Sequence, residues 1–170
     1  LTEYPNRLDL VVISPNDPDA MNRYVRECAE LKLPYVYDPS QQIVRMSGED
    51  IRKGVEGAYC LFVNEYEYQL LQKHTKLSQA DILNCVKFLV VTLGEKGSKI
   101  YAEGVEYDVP AFPVEKITDP TGVGDAFRGG FLRGLSLGFD LQMCGQIGSL
   151  AAAYCLEQQG TQAHRYTRSD

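Results

Sequence analysis

Basic residues are in deficit: the chain of 170 residues carries 17 Lys plus Arg against 23 Asp plus Glu, a formal net charge of −6. A nucleic-acid-binding module normally carries a basic stripe, so a nucleic-acid partner is not expected. Long apolar runs are also missing. None approaches the roughly 20 residues that cross a bilayer, so no membrane partner is expected. Histidine is scarce, with only His74 and His164. The five cysteines (Cys28, Cys60, Cys85, Cys144 and Cys155) are odd in number, widely spaced and form no C-x-x-C. A zinc site or a disulfide framework lacks its material. Most of these cysteines lie among apolar residues, where cysteine acts as a small hydrophobe. The opening Leu1-Thr2-Glu3-Tyr4-Pro5 has neither the basic start nor the apolar block of a secretory leader. Reduced thiols in a cytoplasmic protein are the expectation.

What is present is ordinary globular usage: 44% hydrophobic and 24% charged residues, at a length suited to one domain. The chain starts with Leu, and its first ten residues read as the approach to a strand, so a part of a longer protein is expected. Leu8–Ile13, Pro34–Tyr37, Ala58–Val63 and Phe88–Leu93 are short apolar runs ended by turn residues, which predicts four strands. Helical spacing falls between them, over Asp19–Leu31, Glu49–Val55, Glu65–Gln72 and Gln79–Cys85. A tight turn at Gly94-Glu95-Lys96-Gly97 precedes two antiparallel strands, Ser98–Ala102 and Val105–Val109. Two helices follow, one from the glycine-rich stretch near Gly122 to about Leu137 and one over Leu141–Gln158. Continuous apolar strands alternating with amphipathic helices predict an α/β fold with a mostly parallel sheet covered on both faces.

The most informative stretch is Gly122-Val123-Gly124-Asp125 at a helix start. Glycines let the backbone approach a ligand, and the first N–H groups of a helix have no internal partner. With the helix dipole they form an anion site. A carboxylate there makes sense if it takes a proton from a hydroxyl beside that anion, the demand of phosphoryl transfer. An Asp in the first turn of an ordinary helix uses the same residues. No G-x-x-x-x-G-K-[ST] is present, Phe127 stands where a dinucleotide fingerprint needs a third glycine, and the H-R-D and D-F-G signatures are absent.

Asn64 and Glu67 follow the third strand, on the edge of an open sheet where ligands bind. An amide and a carboxylate can hold a hydrated Mg²⁺; they are equally the first and last residues of a capping box. Thr92-Leu93-Gly94 and Gly97 end the fourth strand, where small residues let a nucleotide lie against backbone and where a hairpin would use the same glycines. Lys96 reads as a solvated turn lysine within reach of a phosphate, Asp38-Pro39 as a plain turn, and His164 as a surface residue. Ala151-Ala152-Ala153 permits close helix packing, and Gly160 ends the last helix.

Taken in order, these pieces resemble the C-terminal half of the ribokinase-like (PfkB) family of carbohydrate and nucleoside kinases. Asp119-Pro120-Thr121-Gly122-Val123-Gly124-Asp125-Ala126-Phe127 is similar to its signature, Asn64-x-x-Glu67 to its N-x-x-E, and Thr92-x-Gly94-x-x-Gly97 to its nucleotide loop. The resemblance implies a ribokinase-like fold and transfer of the γ-phosphoryl of ATP to a hydroxymethyl group of a nucleoside or sugar. It implies Asp125 as base and the backbone of Gly122, Val123 and Gly124 as anion hole. Asn64 and Glu67 would place Mg²⁺ and phosphate, and Thr92, Gly94, Gly97 and Ser149 would flank ATP. Asp119 and the Thr121 backbone would hold K⁺, with further ligands from Cys155–Gly160 and near His164. Pro120 and Arg128 lean to the nucleoside branch, and Gly130, where alanine is common, is expected to change little. On this resemblance residues 1–170 are the ATP-binding and catalytic part, and the substrate-binding half with its lid lies outside them. A sugar kinase and a non-catalytic nucleotide-binding module are the alternatives. The implied partner is a small molecule, with monomer or homodimer left open.

Overall fold

The computed structural model describes residue 1 and residues 8–167. The expected approach to the first strand over residues 2–7 lies outside them. The chain divides into two compact units, Leu1–Thr92 with Tyr101–Val105, and Leu93–Ile100 with Glu106–Asp170.

The first unit is built on four parallel strands: β1 (Val11–Ile13), β2 (Tyr35–Tyr37), β3 (Cys60–Asn64) and β4 (Phe88–Thr92). The apolar runs of β2, β3 and β4 are buried without alternation, over Tyr35–Tyr37, Cys60–Val63 and Phe88–Val91, whereas β1 is buried only at Ile13 and leaves Val12 exposed. A strand buried on successive residues has both faces covered. The covering helices are α1 (Pro18–Leu31), α2 (Gly48–Glu56), α3 (Glu65–Thr75) and α4 (Gln79–Cys85). Each starts where a short polar side chain accepts from a first-turn amide: Asp17, Ser47, Asn64 and Ser78. A 3-10 turn over Ser40–Val44, absent from the sequence-based expectation, follows Asp38-Pro39. All six strands are ordered as in the chain, with β5 (Ser98–Ala102) and β6 (Val105–Val109) joined by the two-residue turn Glu103-Gly104.

In the second unit α5 (Val123–Ser136) and α6 (Leu141–Leu156) pack closely. Gly130 is decisive there. A Cβ on it would lie 2.8 Å from the Ile147 carbonyl and 2.9 Å from the Ala151 Cβ. Glycine at 130 therefore does change something, contrary to expectation, because the facing helix backbone occupies the space an alanine would need. Among the described residues no helix is long and apolar enough to cross a membrane.

Candidate functional site

Parallel strands expose their carboxyl ends together, and in the first unit this edge gathers Asp38, Asn64 and Thr92. Asn64 and Thr92 are register partners on β3 and β4. Asn64 closes a complete capping box: its Oδ1 accepts the Glu67 N–H at 2.8 Å, and its own N–H donates to Glu67 Oε2 at 2.8 Å. The other carboxylate oxygen, Oε1, accepts from the Ser40 hydroxyl at 3.1 Å. That hydroxyl also lies 2.7 Å from Gln41 Oε1 and, with one proton, serves one acceptor at a time. Ser40 has φ 42°, a left-handed conformation that a residue with a Cβ rarely takes. The sequence reading found Asn64 and Glu67 but not Ser40; the only signal was the Asp38-Pro39 turn before it. A carboxylate offers about four acceptor positions, so Glu67 can hold its cap and still accept from the water of a hydrated Mg²⁺.

In the second unit the loop before α5 is lashed to the end of α6. Asp119 Oδ1 accepts the Thr121 N–H at 2.9 Å, and its Oδ2 accepts from the Gly160 N–H at 3.0 Å and the Gln159 amide at 3.2 Å. Thr121 (hydroxyl, then amide) and the Gly160 amide hold the Asp119 carboxyl below its ordinary range. The Leu156 carbonyl accepts the Thr118 N–H at 2.7 Å, and the Cys155 thiol leans on the Thr121 carbonyl at 3.6 Å. Gln159 and Gly160, in the segment from which further K⁺ ligands were expected, donate to the Asp119 carboxylate. His164 departs from expectation: it is half-buried, its ring stacked on Tyr166 at 5.9 Å, because the tail folds back and Tyr166 also stacks on Tyr154 of α6.

Gly122 then turns the chain into α5 with φ 81°, a conformation open to glycine. No side chain caps this helix, in contrast to α1–α4 and to α6, where Asp140 accepts the Met143 N–H. Val123 N–H makes only a 3.5 Å contact with the Pro120 carbonyl. The first-turn amides, with the positive end of the helix dipole, are what an anion needs. Asp125 stands in that turn with its side chain 75% exposed, and Arg128 one turn on donates to its Oδ1 at 2.5 Å.

The turn after β4 is a 3-10 turn, Gly94–Lys96, rather than a simple tight turn. Both its glycines have positive φ, 62° at Gly94 and 89° at Gly97. A Cβ on Gly97 would sit 2.0 Å from the Val109 carbonyl, whereas Gly94 faces open space. Ser149 on α6 is nearly buried: it accepts the Phe112 N–H at 2.7 Å and donates to the Pro110 carbonyl at 3.1 Å. Its one proton is committed to Pro110, so toward the neighbouring cavity of about 400 Å³, lined also by Phe112, Pro113, Met143 and Gln146, it supplies wall and acceptor only.

The profile of the pfkB family carbohydrate kinases matches residues 5–168. The nucleoside kinase of Methanocaldococcus jannaschii is 32% identical over 156 residues, 92% of this chain and 51% of that protein. The structure of Burkholderia thailandensis nucleoside kinase in complex with inosine superposes with a TM-score of 0.94 at 34% identity, covering 98% of this chain and 56% of that one. The same enzyme in complex with ADP-inosine gives 0.94 at 34% identity, over 98% of this chain and 52% of that one. The chain spans about half the length of the curated relatives it matches. With a family match over nearly its whole length and the fold shared with those enzymes, the chain belongs to the pfkB family of carbohydrate kinases.

Proposed function

We propose that the chain supplies the nucleotide-binding and catalytic part of an ATP-dependent nucleoside kinase. The observation that carries this reading is the N-terminus of α5, where first-turn amides without a side-chain cap stand beside an exposed Asp125. The amides of Gly122, Val123 and Gly124 stabilise charge on the γ-phosphoryl as it moves. The acceptor's hydroxymethyl oxygen forms a bond to the γ-phosphorus while the bond from that phosphorus to the β-phosphate oxygen breaks. The hydroxyl proton passes to the Asp125 carboxylate, and ADP leaves with the electron pair of the broken bond.

Mg²⁺ bound to the nucleotide supplies neutralisation of phosphate charge. Asn64 and Glu67, fixed by their mutual cap, would hold its hydration shell. Asp119 and the Thr121 carbonyl would hold K⁺, which would supply positive charge to the loop they fix. Thr92, Gly94 and Gly97 line the path of ATP, and Ser149 closes a wall near the adenine. The nucleoside assignment is supported by relatives that are nucleoside kinases, one of them solved with inosine and with ADP-inosine.

The test is ATP-dependent phosphorylation by the whole gene product over a panel of nucleosides and sugars, read as ADP release. Turnover of purine or pyrimidine nucleosides above that of every sugar is the expected result. Turnover of sugars alone would overturn the nucleoside assignment, and nucleotide binding without turnover of any acceptor would overturn the kinase.

A further inference from the structure

We infer that Arg128 is a ligand of the transferred phosphoryl group, released from its ion pair with Asp125 when ATP binds. The inference rests on the reading of Asp125 as the base, and it adds a cation to an anion site otherwise built from backbone amides.

Three observations carry it. The first is position. Arg128 Nη2 donates to Asp125 Oδ1 at 2.5 Å, and Nη1 lies 3.4 Å from the place a Cβ would occupy on Gly124. The guanidinium is therefore folded back over the first turn of α5, beside the amides assigned to the phosphoryl group. The second is burial. The Arg128 side chain is only 19% exposed while the partner Asp125 is 75% exposed. The cationic chain therefore lies inward against the first turn of α5 while its carboxylate partner faces solvent. The third is charge. A carboxylate at the mouth of an anion site repels the phosphoryl group it must serve, and a guanidinium paired to it offsets that repulsion.

The exchange follows from the chemistry of the fork. Guanidinium offers five N–H donors in a plane, matching two phosphate oxygens at once. A γ-phosphoryl carrying close to two negative charges outcompetes a single carboxylate for those donors. Moving to it, Arg128 leaves Asp125 Oδ1 open to the acceptor hydroxyl. Nucleotide arrival and release of the base are then one event, and a site without ATP keeps its base engaged.

The test is calorimetric titration of the whole gene product with ADP and with the non-hydrolysable β,γ-imido analogue of ATP. Wild type, Arg128→Gln, Arg128→Lys and Asp125→Asn are compared, with melting temperature as a folding control. Loss of a charge-assisted contact predicts that Arg128→Gln weakens the analogue by about 10–100-fold. ADP, which lacks the γ-phosphoryl, changes by less than about threefold, and Arg128→Lys recovers part of the loss. Asp125→Asn binds the analogue at least as tightly as wild type, because the competing carboxylate is gone. An equal effect of Arg128→Gln on both nucleotides, or none on either, overturns the inference and leaves Arg128 as a support for α5. Full turnover by Asp125→Asn instead defeats the reading of the base. The two failures are therefore separable.

Discussion

Alanine at Gly122 perturbs the turn that aims the amides of α5. Gly122 has φ 81° and ψ 2°, so a Cβ there incurs the left-handed penalty of roughly 1–2 kcal/mol. The new methyl would also lie 2.9 Å from both Cβ and Cγ2 of Thr161. Thr161 is exposed, so its loop can yield, and the contact adds to the backbone cost without multiplying it. For a chain of this size each kcal/mol shifts the melting temperature by about 2–4 °C, giving a fall of roughly 2–8 °C for the backbone cost alone. Gly160→Ala is the comparator: its φ is 87° and a Cβ on it meets nothing within 4 Å, so it shows the backbone cost without the clash. Circular-dichroism melts should rank wild type above Gly160→Ala and that above Gly122→Ala. Thr161→Ser, which removes Cγ2, should narrow the gap between the two variants. A Gly122→Ala protein melting within a degree of wild type would refute the left-handed entry into α5, and with it the orientation of the amides.

Two further outcomes follow from the caps and clamps. Asn64→Ala removes the cap oxygen of α3 and should lower stability by about 1 kcal/mol in urea titration, with a raised Mg²⁺ requirement for turnover. Unchanged values for both would separate Asn64 from the helix and from the metal. Asp119 carries a carboxyl held below its ordinary value near 3.8, so its stabilising contribution is complete above that pH and is lost as pH falls through the lower folded-state value. The stability gap between wild type and Asp119→Asn should therefore be constant from neutral pH to about pH 5 and shrink in the acid range. A gap that widens on acidification would contradict the clamp.

The strands and most helices were legible because burial imposes a pattern on the chain. β5, β6 and α4 start and stop where alternation and the Ser78 cap indicate. The Asp119–Asp125 stretch stood out for another reason, its likeness to a family signature; that its helix start has no side-chain cap is seen only in the fold. What was not legible is long-range. Ser40 meets Glu67 across 27 positions, and Asp119 meets Gly160 across 41. Nothing in the local spacing announces either partner. Gly130 was misread because its constraint comes from the backbone of a different helix. His164 was misread because its partner stacks through a tail without periodicity. Arg128 was visible as a residue, but its fold-back over Gly124 depends on a rotamer that no sequence pattern states.

The central claim is that Asp125 removes the proton from the acceptor at the amide cradle of α5. The most direct measurement is the single-turnover rate of phosphoryl transfer from ATP to a nucleoside in wild type and Asp125→Asn, with ATP affinity measured on the same preparations. A fall of about 10²–10⁴-fold in rate, with ATP affinity retained, is what a lost general base requires. A rate within a few-fold of wild type would contradict the claim.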